Sequence, residues 1–225
     1  MAEINFGEEV SKEDIENNLK EINDKIFLAC MEANREPSEI DIVAITKTHS
    51  IATVRNAIDA GLTQFGENRY QELHEKKLAT EKIEKVKWHF VGQIQRNKMA
   101  RIADEADVIC SVDRPEQLDI ISKARHKPKL LIQLSADGDE KRGGVLISNA
   151  IDLMIYAQNV GPLISGVMMV PPLGADPRPH FNEAAQFAKS AGLEIVSMGM
   201  SDDYEIAVEC GATQLRLGTA IFGAR

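Results

Sequence analysis

Two short segments of this chain carry side chains whose chemistry is complementary. In the first, Lys47 follows the apolar run at residues 40–46, which has the composition of a buried strand. Partial burial favours the neutral form of a lysine amine, and only that form is a nucleophile. In the second, Arg216-Leu217-Gly218-Thr219 combines small residues with a hydroxyl, as turns that bind phosphate do. Together they predict a Schiff-base lysine near an anchored phosphate, although a lysine at a strand end more often extends into water.

Composition places this chemistry in one cytoplasmic domain. A chain of 225 residues can bury one sizeable core, and we expect a single domain over residues 1–225. The net charge of -9 is spread along the chain, which argues against nucleic-acid and membrane partners. Three widely spaced cysteines predict neither disulfides nor a zinc site and fit a reducing compartment. We expect no signal peptide and no membrane span.

The first element predicted from hydrophobic spacing is an amphipathic helix at about residues 10–34. Its apolar residues recur three and four positions apart, which puts them on one face. They are Ile15, Leu19, Ile22, Ile26 and Ala29. Ser11 resembles a helix start, and Asn34 and Pro37 mark the end.

After this helix, short apolar runs alternate with helical segments, which predicts parallel strands joined by helices. Eight strands are predicted. They lie near residues 41–46, 64–67, 87–91, 107–112, 129–134, 164–170, 195–200 and 214–218. An open doubly wound sheet is the alternative, but the count favours closure and no Gly-x-Gly-x-x-Gly turn follows the first strand. We therefore predict an α/β fold, a single (β/α)8 TIM-type barrel at about residues 40–225 with an additional N-terminal helix.

The carboxyl ends of barrel strands form the active-site face of this architecture, and phosphates often bind after strands seven and eight. Lys47 follows the first predicted strand and Asn68 the second, whereas Ser201 follows the seventh and Gly218 and Thr219 follow the eighth. All five should therefore meet at one mouth. Ser201 has a second interpretation, because it is also placed to cap the next helix. We expect Asp202 and Asp203, which would repel a phosphate, to point away.

Two polar residues within predicted strands should face the barrel interior. Arg216 alternates with Leu215 and Leu217, and a guanidinium in that place needs either an internal carboxylate or a ligand. His89 alternates with Trp88 and Phe90, but a lone histidine is more often a hydrogen-bonded core residue than a functional one. None of the histidines has a second ligand at metal spacing, so we predict no metal site.

At this point five blocks of the sequence resemble those of the pyridoxal-phosphate homeostasis protein family, single-domain relatives of the alanine racemase N-terminal barrel. The resemblance covers nearly the whole chain. The blocks are Ala44-Ile45-Thr46-Lys47-Thr48, residues 65–72, Trp88-His89-Phe90-Val91-Gly92 with Gln95, Asn97 and Lys98, residues 197–203 and residues 216–223.

The resemblance implies that the chain binds pyridoxal 5'-phosphate (PLP) as an internal aldimine, a Schiff base on Lys47. It also implies that the phosphate lies near Ser201, Gly218 and Thr219, and that Arg216 faces the pyridine nitrogen, which weakens the cofactor as an electron sink. The expected cofactor-binding residues are Lys47, Asn68, His89, Ser201, Arg216, Gly218 and Thr219.

Three hypotheses follow for the function. The leading one is a monomeric, non-catalytic carrier that takes part in PLP homeostasis, has no catalytic residues, and has PLP-dependent apoenzymes as candidate partners. The monomer rests on the expectation that no large apolar surface stripe remains after the barrel helices are assigned. The alternative is a PLP-dependent amino-acid racemase or lyase using Lys47. It is disfavoured because Tyr70, Tyr156 and Tyr204 lie in helical segments with no evident access to the site as a second base. An aldolase-like barrel ranks third.

Overall fold

A computed structural model describes residues 7–139 and 141–224, and its central feature is a closed barrel of eight parallel strands. The strands are β1 (Asp41–Ile45), β2 (Gln64–Glu67), β3 (Lys87–Phe90), β4 (Val108–Val112), β5 (Lys129–Ser135), β6 (Val145–Leu146), β7 (Ile164–Met169), β8 (Ile195–Ser197) and β9 (Gln214–Leu217). All except β6 belong to the barrel. The predicted (β/α)8 barrel and each of its eight strands are confirmed.

The order of strand pairing closes the barrel. Neighbouring strands run β4-β3-β2-β1-β9-β8-β7-β5, and β4 also pairs with β5, so the sheet has no free edge among its eight long strands. The two-residue strand β6 adds to the carboxyl end of β5 through Leu134 and Ser135. Sequence analysis did not predict β6, because two residues are too few for periodicity to reveal.

Helices pack around the outside of the barrel. They are α1 (Lys12–Glu32), α2 (Ile51–Asp59), α3 (Tyr70–Thr80), α4 (Met99–Glu105), α5 (Pro115–Ile121), α6 (Ile147–Val160), α7 (Pro177–Ser190), α8 (Tyr204–Glu209) and α9 (Thr219–Phe222). Short 3-10 turns precede β1 at Pro37–Glu39 and precede α4 at Arg96–Lys98. Because the eight barrel strands are parallel, their carboxyl ends all lie at the same face of the barrel.

The additional helix α1 starts where the sequence predicted. The Ser11 hydroxyl accepts a hydrogen bond from the Asp14 backbone N–H at 3.1 Å, which satisfies one of the unpaired amides of the first turn. The helix packs against α8, α9 and α2 and so covers the seam where the two ends of the barrel chain meet. Four of its five predicted core residues are buried and Leu19 is partly buried, so the predicted apolar face is confirmed.

Apolar side chains fill two separate layers. The larger lies between strands and helices and contains Trp88 and Phe90. The smaller lies inside the barrel and consists of Val108, Cys110, Leu131 and Met168. The alternation of each strand between these layers is what turns polar residues such as Arg216 and His89 inward. The interior is therefore a packed core with a polar upper end.

The outer surface of α1 departs from expectation. Phe27, Leu28 and Met31 are 52%, 61% and 63% exposed, so an apolar stripe does remain on the surface and that expectation was wrong. The opposite face of α1 is buried, and the apolar spacing of that buried face did not indicate that Phe27, Leu28 and Met31 would be exposed.

Within the described ranges, none of the helices has the length and apolar character needed to cross a membrane.

Candidate functional site

A cavity of about 410 Å³ opens at the carboxyl ends of the barrel strands. This volume lies within the range of small-molecule sites, about 300–1,000 Å³. Its lining includes six of the seven predicted site residues: Lys47, Asn68, Ser201, Arg216, Gly218 and Thr219. Apolar walls are added by Ile45, Val91, Met168, Val170 and Met200. The expected convergence of strand ends thus produces one pocket with an amine, a guanidinium and hydroxyls.

Lys47 lies in the turn directly after β1 and is half-buried. The turn is fixed by main-chain bonds: the Thr46 N–H donates to the Gly66 carbonyl at 3.1 Å, and the His49 N–H donates to the Thr46 carbonyl at 2.9 Å. Thr48 completes the turn with a φ of 66°, which is uncommon for a β-branched residue. The backbone that carries the amine is therefore strongly constrained.

Arg216 lies in β9, is 5% exposed, and lines the cavity from inside the barrel. Its Nη1 donates to the Ser197 hydroxyl at 3.1 Å and its Nη2 donates to the Met169 carbonyl at 3.0 Å. Burial lowers the pKa of the guanidinium, while Cys110 and Asp203 act in the opposite direction. In the part of the chain that the structure describes, Arg216 takes part in no ion pair, so the alternative of an internal salt bridge is wrong there.

The loops after β8 and β9 are joined at the cavity. The Ser201 hydroxyl accepts a hydrogen bond from the Ala220 N–H at 3.0 Å, which ties the two loops together instead of capping α8. Asp203 accepts from the Met200 N–H at 2.6 Å and so stabilises the turn. Asp202, which we expected to point away, lines the cavity. Asp202 therefore borders the predicted phosphate region.

Two glycines allow backbone segments to approach each other at this face. Gly199 has a φ of 87°, and a Cβ built on it would lie 2.6 Å from the Cβ of Ala207. A Cβ on Gly92 would lie 2.1 Å from the carbonyl oxygen of Asn68. Larger residues would push these loops apart, since such contacts are well inside van der Waals distance. Asn68 is consequently held close against β3 at the rim of the cavity.

His89 lies deeper in the barrel, outside the cavity lining. Its Nε2 is 3.0 Å from Oε1 of Gln64, and its Nδ1 is 3.8 Å from Sγ of Cys110. Burial, with a smaller contribution from Lys87, lowers the pKa of His89 to about 3, so the ring is neutral at physiological pH. These contacts fit the hydrogen-bonded core histidine that sequence analysis held open. Its assignment to the cofactor site remains a prediction.

The loop between β5 and β6 is fastened beside the cavity by side chains that bind its main chain. Gln93 donates to the Lys141 carbonyl at 2.6 Å, and Gln133 donates to the Arg142 carbonyl at 2.9 Å. Asp113 accepts from the Gly144 N–H at 3.0 Å. Sequence analysis did not predict these hydrogen bonds to the loop, because side-chain amides of glutamine leave no periodic pattern in the sequence.

A further cavity, of about 480 Å³, lies at the opposite end of the barrel around the start of β5. Its lining contains no histidine, cysteine or carboxylate, so it offers little for catalysis. Among the described residues, no group of three or more histidine, cysteine, aspartate or glutamate side chains is arranged to hold a metal ion. Of these two cavities, the one that contains Lys47 therefore has the side chains better suited to chemistry.

Comparison with known proteins identifies the family. The chain matches the family model described as the alanine racemase N-terminal domain over residues 13–225. It is 34% identical over 230 residues to the pyridoxal phosphate homeostasis protein of Escherichia coli K12, which covers 94% of this chain and 97% of that protein. This chain belongs to the pyridoxal phosphate homeostasis protein family. The family protein of Pseudomonas aeruginosa is 36% identical over 230 residues, covering 94% and 96% of the two chains.

The fold of this chain is similar both to that of a solved pyridoxal phosphate-binding relative and to part of a larger enzyme. PipY of Synechococcus elongatus, solved with PLP bound, is 30% identical, has a TM-score of 0.78, and covers 93% of this chain and 100% of its own. Alanine racemase from Corynebacterium glutamicum has a TM-score of 0.71 at 12% identity, covering 96% of this chain and 62% of its own. The latter likeness concerns the barrel alone.

Proposed function

We propose that this chain binds PLP in the cavity at the carboxyl ends of the strands, joined to Lys47 as a Schiff base, and thereby takes part in PLP homeostasis. The observation that carries the proposal is the convergence of Lys47, Arg216, Ser201 and Thr219 on one cavity. These groups fit an anionic pyridine aldehyde, because they supply a nucleophilic amine, a cationic donor and hydroxyls. The PLP-bound relative PipY supports the same assignment.

The bond to Lys47 is reversible, which suits a carrier. The neutral ε-amine adds to the aldehyde carbon, and the aldehyde oxygen leaves as water when the C=N bond forms. Water addition reverses both steps and returns the free aldehyde and the amine. The half-buried turn after β1 holds this amine within the cavity. The covalent link therefore limits side reactions of the aldehyde without removing it permanently from use.

The loops after β8 and β9 are proposed to hold the phosphate. Gly218 lines the cavity, and a Cβ there would meet only Ile45, at 3.4 Å from its oxygen and 3.6 Å from its Cβ. This leaves space for an oxyanion to approach the backbone of Gly218 and Thr219. The hydroxyls of Ser201 and Thr219 add donors to the same region. Asn68 is proposed to line the opposite rim.

Arg216 is proposed to donate a hydrogen bond to the pyridine nitrogen. PLP, when bound, supplies an electron sink for amino-acid carbanions, and its strength depends on a protonated ring nitrogen. A cationic donor disfavours that protonation by charge repulsion. Among the residues that the structure describes, Arg216 donates to Ser197 and Met169 and contacts no carboxylate. Its positive charge is therefore available to the ligand. This supports a binding role over efficient catalysis.

The second candidate function is an amino-acid racemase, because the same amine could remove an α-proton. Racemisation also needs an acid or base on the opposite face. Tyr70 and Tyr156 donate their hydroxyls to Glu105 and Asp119, and neither they nor Tyr204 line the cavity. The related pyridoxal phosphate homeostasis protein of Escherichia coli favours a role in homeostasis. We therefore propose that the chain is not an enzyme.

Incubation of the PLP-loaded protein with amino acids in heavy water is expected to give no more α-proton exchange than free PLP gives. The reason is that Arg216, which is proposed to donate to the pyridine nitrogen, weakens the electron sink that removal of an α-proton by Lys47 requires. Mass spectrometry of each amino acid in a broad panel measures the exchange, with an alanine racemase as the positive control. Exchange that exceeds the free-PLP rate and disappears in Lys47→Ala would establish the racemase alternative.

The direct test of the proposed function is absorbance spectroscopy followed by chemical trapping. PLP added to the purified protein is expected to give a visible imine band, and borohydride reduction should then fix the label on Lys47, as read by peptide mapping. Label on scattered exposed lysines such as Lys20 or Lys82, without enrichment at Lys47, would contradict the proposal. A control with PLP lacking its phosphate should label more weakly, because it loses the contacts proposed at Gly218 and Thr219.

The remaining assignments are also proposals. We infer one PLP-binding domain over residues 1–225, of which residues 1–6, 140 and 225 lie outside the described part. We propose PLP-dependent apoenzymes as partners, whereas the exposed stripe of Phe27, Leu28 and Met31 removes the argument for a monomer. A cytoplasmic location is supported by Cys30, Cys110 and Cys210, which are all free thiols.

A further inference from the structure

Three charged side chains are buried together beside the turn that carries Lys47. Glu67 ends β2, and Glu72 and Lys76 lie one turn apart on α3. All three are fully buried. The Lys76 Nζ lies 2.7 Å from Oε1 of Glu67 and 3.2 Å from Oε2 of Glu72. Removing charges from water is costly, and an apolar core of the same shape is often at least as stable. Packing alone therefore does not account for this cluster.

The cluster holds the main chain on both sides of Lys47. The Lys76 ammonium donates to the Thr46 carbonyl at 2.7 Å, which belongs to the peptide group before Lys47. The Glu72 carboxylate accepts from the Thr48 N–H at 2.6 Å, which belongs to the peptide group after Lys47. The Thr46 hydroxyl also donates to Glu67 at 2.6 Å. Each peptide bond that joins Lys47 to the chain is thus bound by a buried charged group.

The same contacts hold an unfavourable backbone conformation. Thr48 has a φ of 66°, and a β-branched residue adopts this left-handed conformation only when its surroundings compensate for the strain. The charge-assisted bond from its N–H to Glu72 provides such compensation. Burial raises the pKa of Glu67 to about 7, and its contacts with Lys76 and Thr46 act in the opposite direction.

We propose that Glu67, Glu72 and Lys76 act as positioning residues that fix the backbone of Lys47 and thereby aim its amine into the cavity. None of the three lines the cavity, so they act through Lys47 and not on the ligand. The inference rests on the proposed function, since it concerns the same amine. It adds that the reactivity of Lys47 is set by a buried ion cluster on the neighbouring strand and helix.

The double variant Glu72→Leu/Lys76→Met tests this role. It replaces the buried Glu72–Lys76 pair by apolar side chains and removes both contacts to the peptide groups around Lys47. Glu67, whose pKa burial raises, is expected to become protonated and to keep its contact with Thr46. The rate constant for appearance of the imine band after mixing with PLP should fall by on the order of tenfold or more, because small errors of orientation are costly. Circular dichroism and urea unfolding report the fold independently.

Two variants serve as controls. Lys12→Met/Glu16→Leu makes the same substitutions in an exposed i, i+4 pair on α1 and should leave the rate unchanged. Glu72→Gln keeps an oxygen that can accept from Thr48 and should restore most of the rate. A second readout is the rate at which trinitrobenzenesulfonate labels Lys47 in protein without PLP. This rate should also fall in the double variant and not in the two controls.

The outcomes separate this inference from the proposed function. If the original protein forms no imine on Lys47, the proposed function fails. If it does, and the folded double variant reacts at the original rate with both PLP and trinitrobenzenesulfonate, only the positioning role is overturned. If the double variant does not fold, the single variant Glu72→Leu decides, because Lys76 then still pairs with Glu67. A slower rate supports the role, and an original rate or failure to fold overturns it.

Discussion

The Lys47→Arg variant is expected to show no visible imine band with PLP and no borohydride-fixed label in the peptide that contains residue 47. Arginine keeps the positive charge but its guanidinium does not form a stable imine with an aldehyde. The other proposed contacts, from Arg216 to the pyridine nitrogen and from the loops after β8 and β9 to the phosphate, are kept in this variant. We therefore expect weakened binding, with the Kd raised by on the order of a hundredfold, or about 2.7 kcal/mol.

Equilibrium dialysis with PLP measures the Kd, and absorbance measures the imine. Lys98→Arg is a suitable control, because Lys98 lies outside the cavity lining and its Nζ contacts Gln71 at 3.5 Å. The control should keep both the band and the affinity. An unchanged band in Lys47→Arg, or an unchanged Kd, would show that another amine holds the cofactor and would overturn the assignment of Lys47.

Gly199→Ala is expected to destabilise the protein by about 2–5 kcal/mol. Alanine at a φ of 87° carries the cost of a left-handed backbone, and its Cβ would lie 2.6 Å from Ala207 and 3.1 Å from the Cα of Tyr204. The loop must then move away from α8. Because the Gly199 carbonyl accepts from the Arg216 N–H at 3.0 Å, this movement should also weaken PLP binding.

Comparing the free energies of urea unfolding of Gly199→Ala and Gly192→Ala separates the cost of the left-handed backbone from the cost of the collision with α8. Gly192 also has a left-handed φ, 67°, but a Cβ on it would meet no atom within 4 Å. That variant should lose only the backbone contribution, about 1–2 kcal/mol, and retain its affinity for PLP. Equal losses in the two variants would show that the collision with α8 is relieved at no cost.

Periodicity was sufficient for the fold because every barrel strand has at least one apolar face, and several strands are apolar on both faces. The runs around Val43 and Leu131 lie between a packed interior and a helix layer, and such strands stand out from polar helices. Strand boundaries agreed to within a few residues for the same reason. The short strand β6 and the fastened loop before it were missed, since their order depends on side-chain amides such as Gln133 and not on burial.

Sequence position also predicted which residues line the cavity, because residues that follow strands must meet at one face of a barrel. It could not predict Glu72 and Lys76, since a Glu-Lys pair four residues apart on a helix is usually a solvent-exposed ion pair. The available signal was that α3 contains few large apolar residues, Tyr70, Leu73 and Leu78, so that polar side chains have to complete its buried face. Nor could it decide whether Asp202 faces the cavity, which depends on the loop between β8 and α8.

The packed interior of the barrel has a kinetic consequence. Beneath the cavity the space is filled by Val108, Cys110, Leu131 and Met168, so a ligand on Lys47 reaches solvent through the mouth at the carboxyl ends. Incoming water, which must attack the C=N bond, shares that passage with the departing aldehyde. Under the proposed function, a macromolecule that covers the mouth is therefore expected to slow both the entry of water and the escape of the ligand.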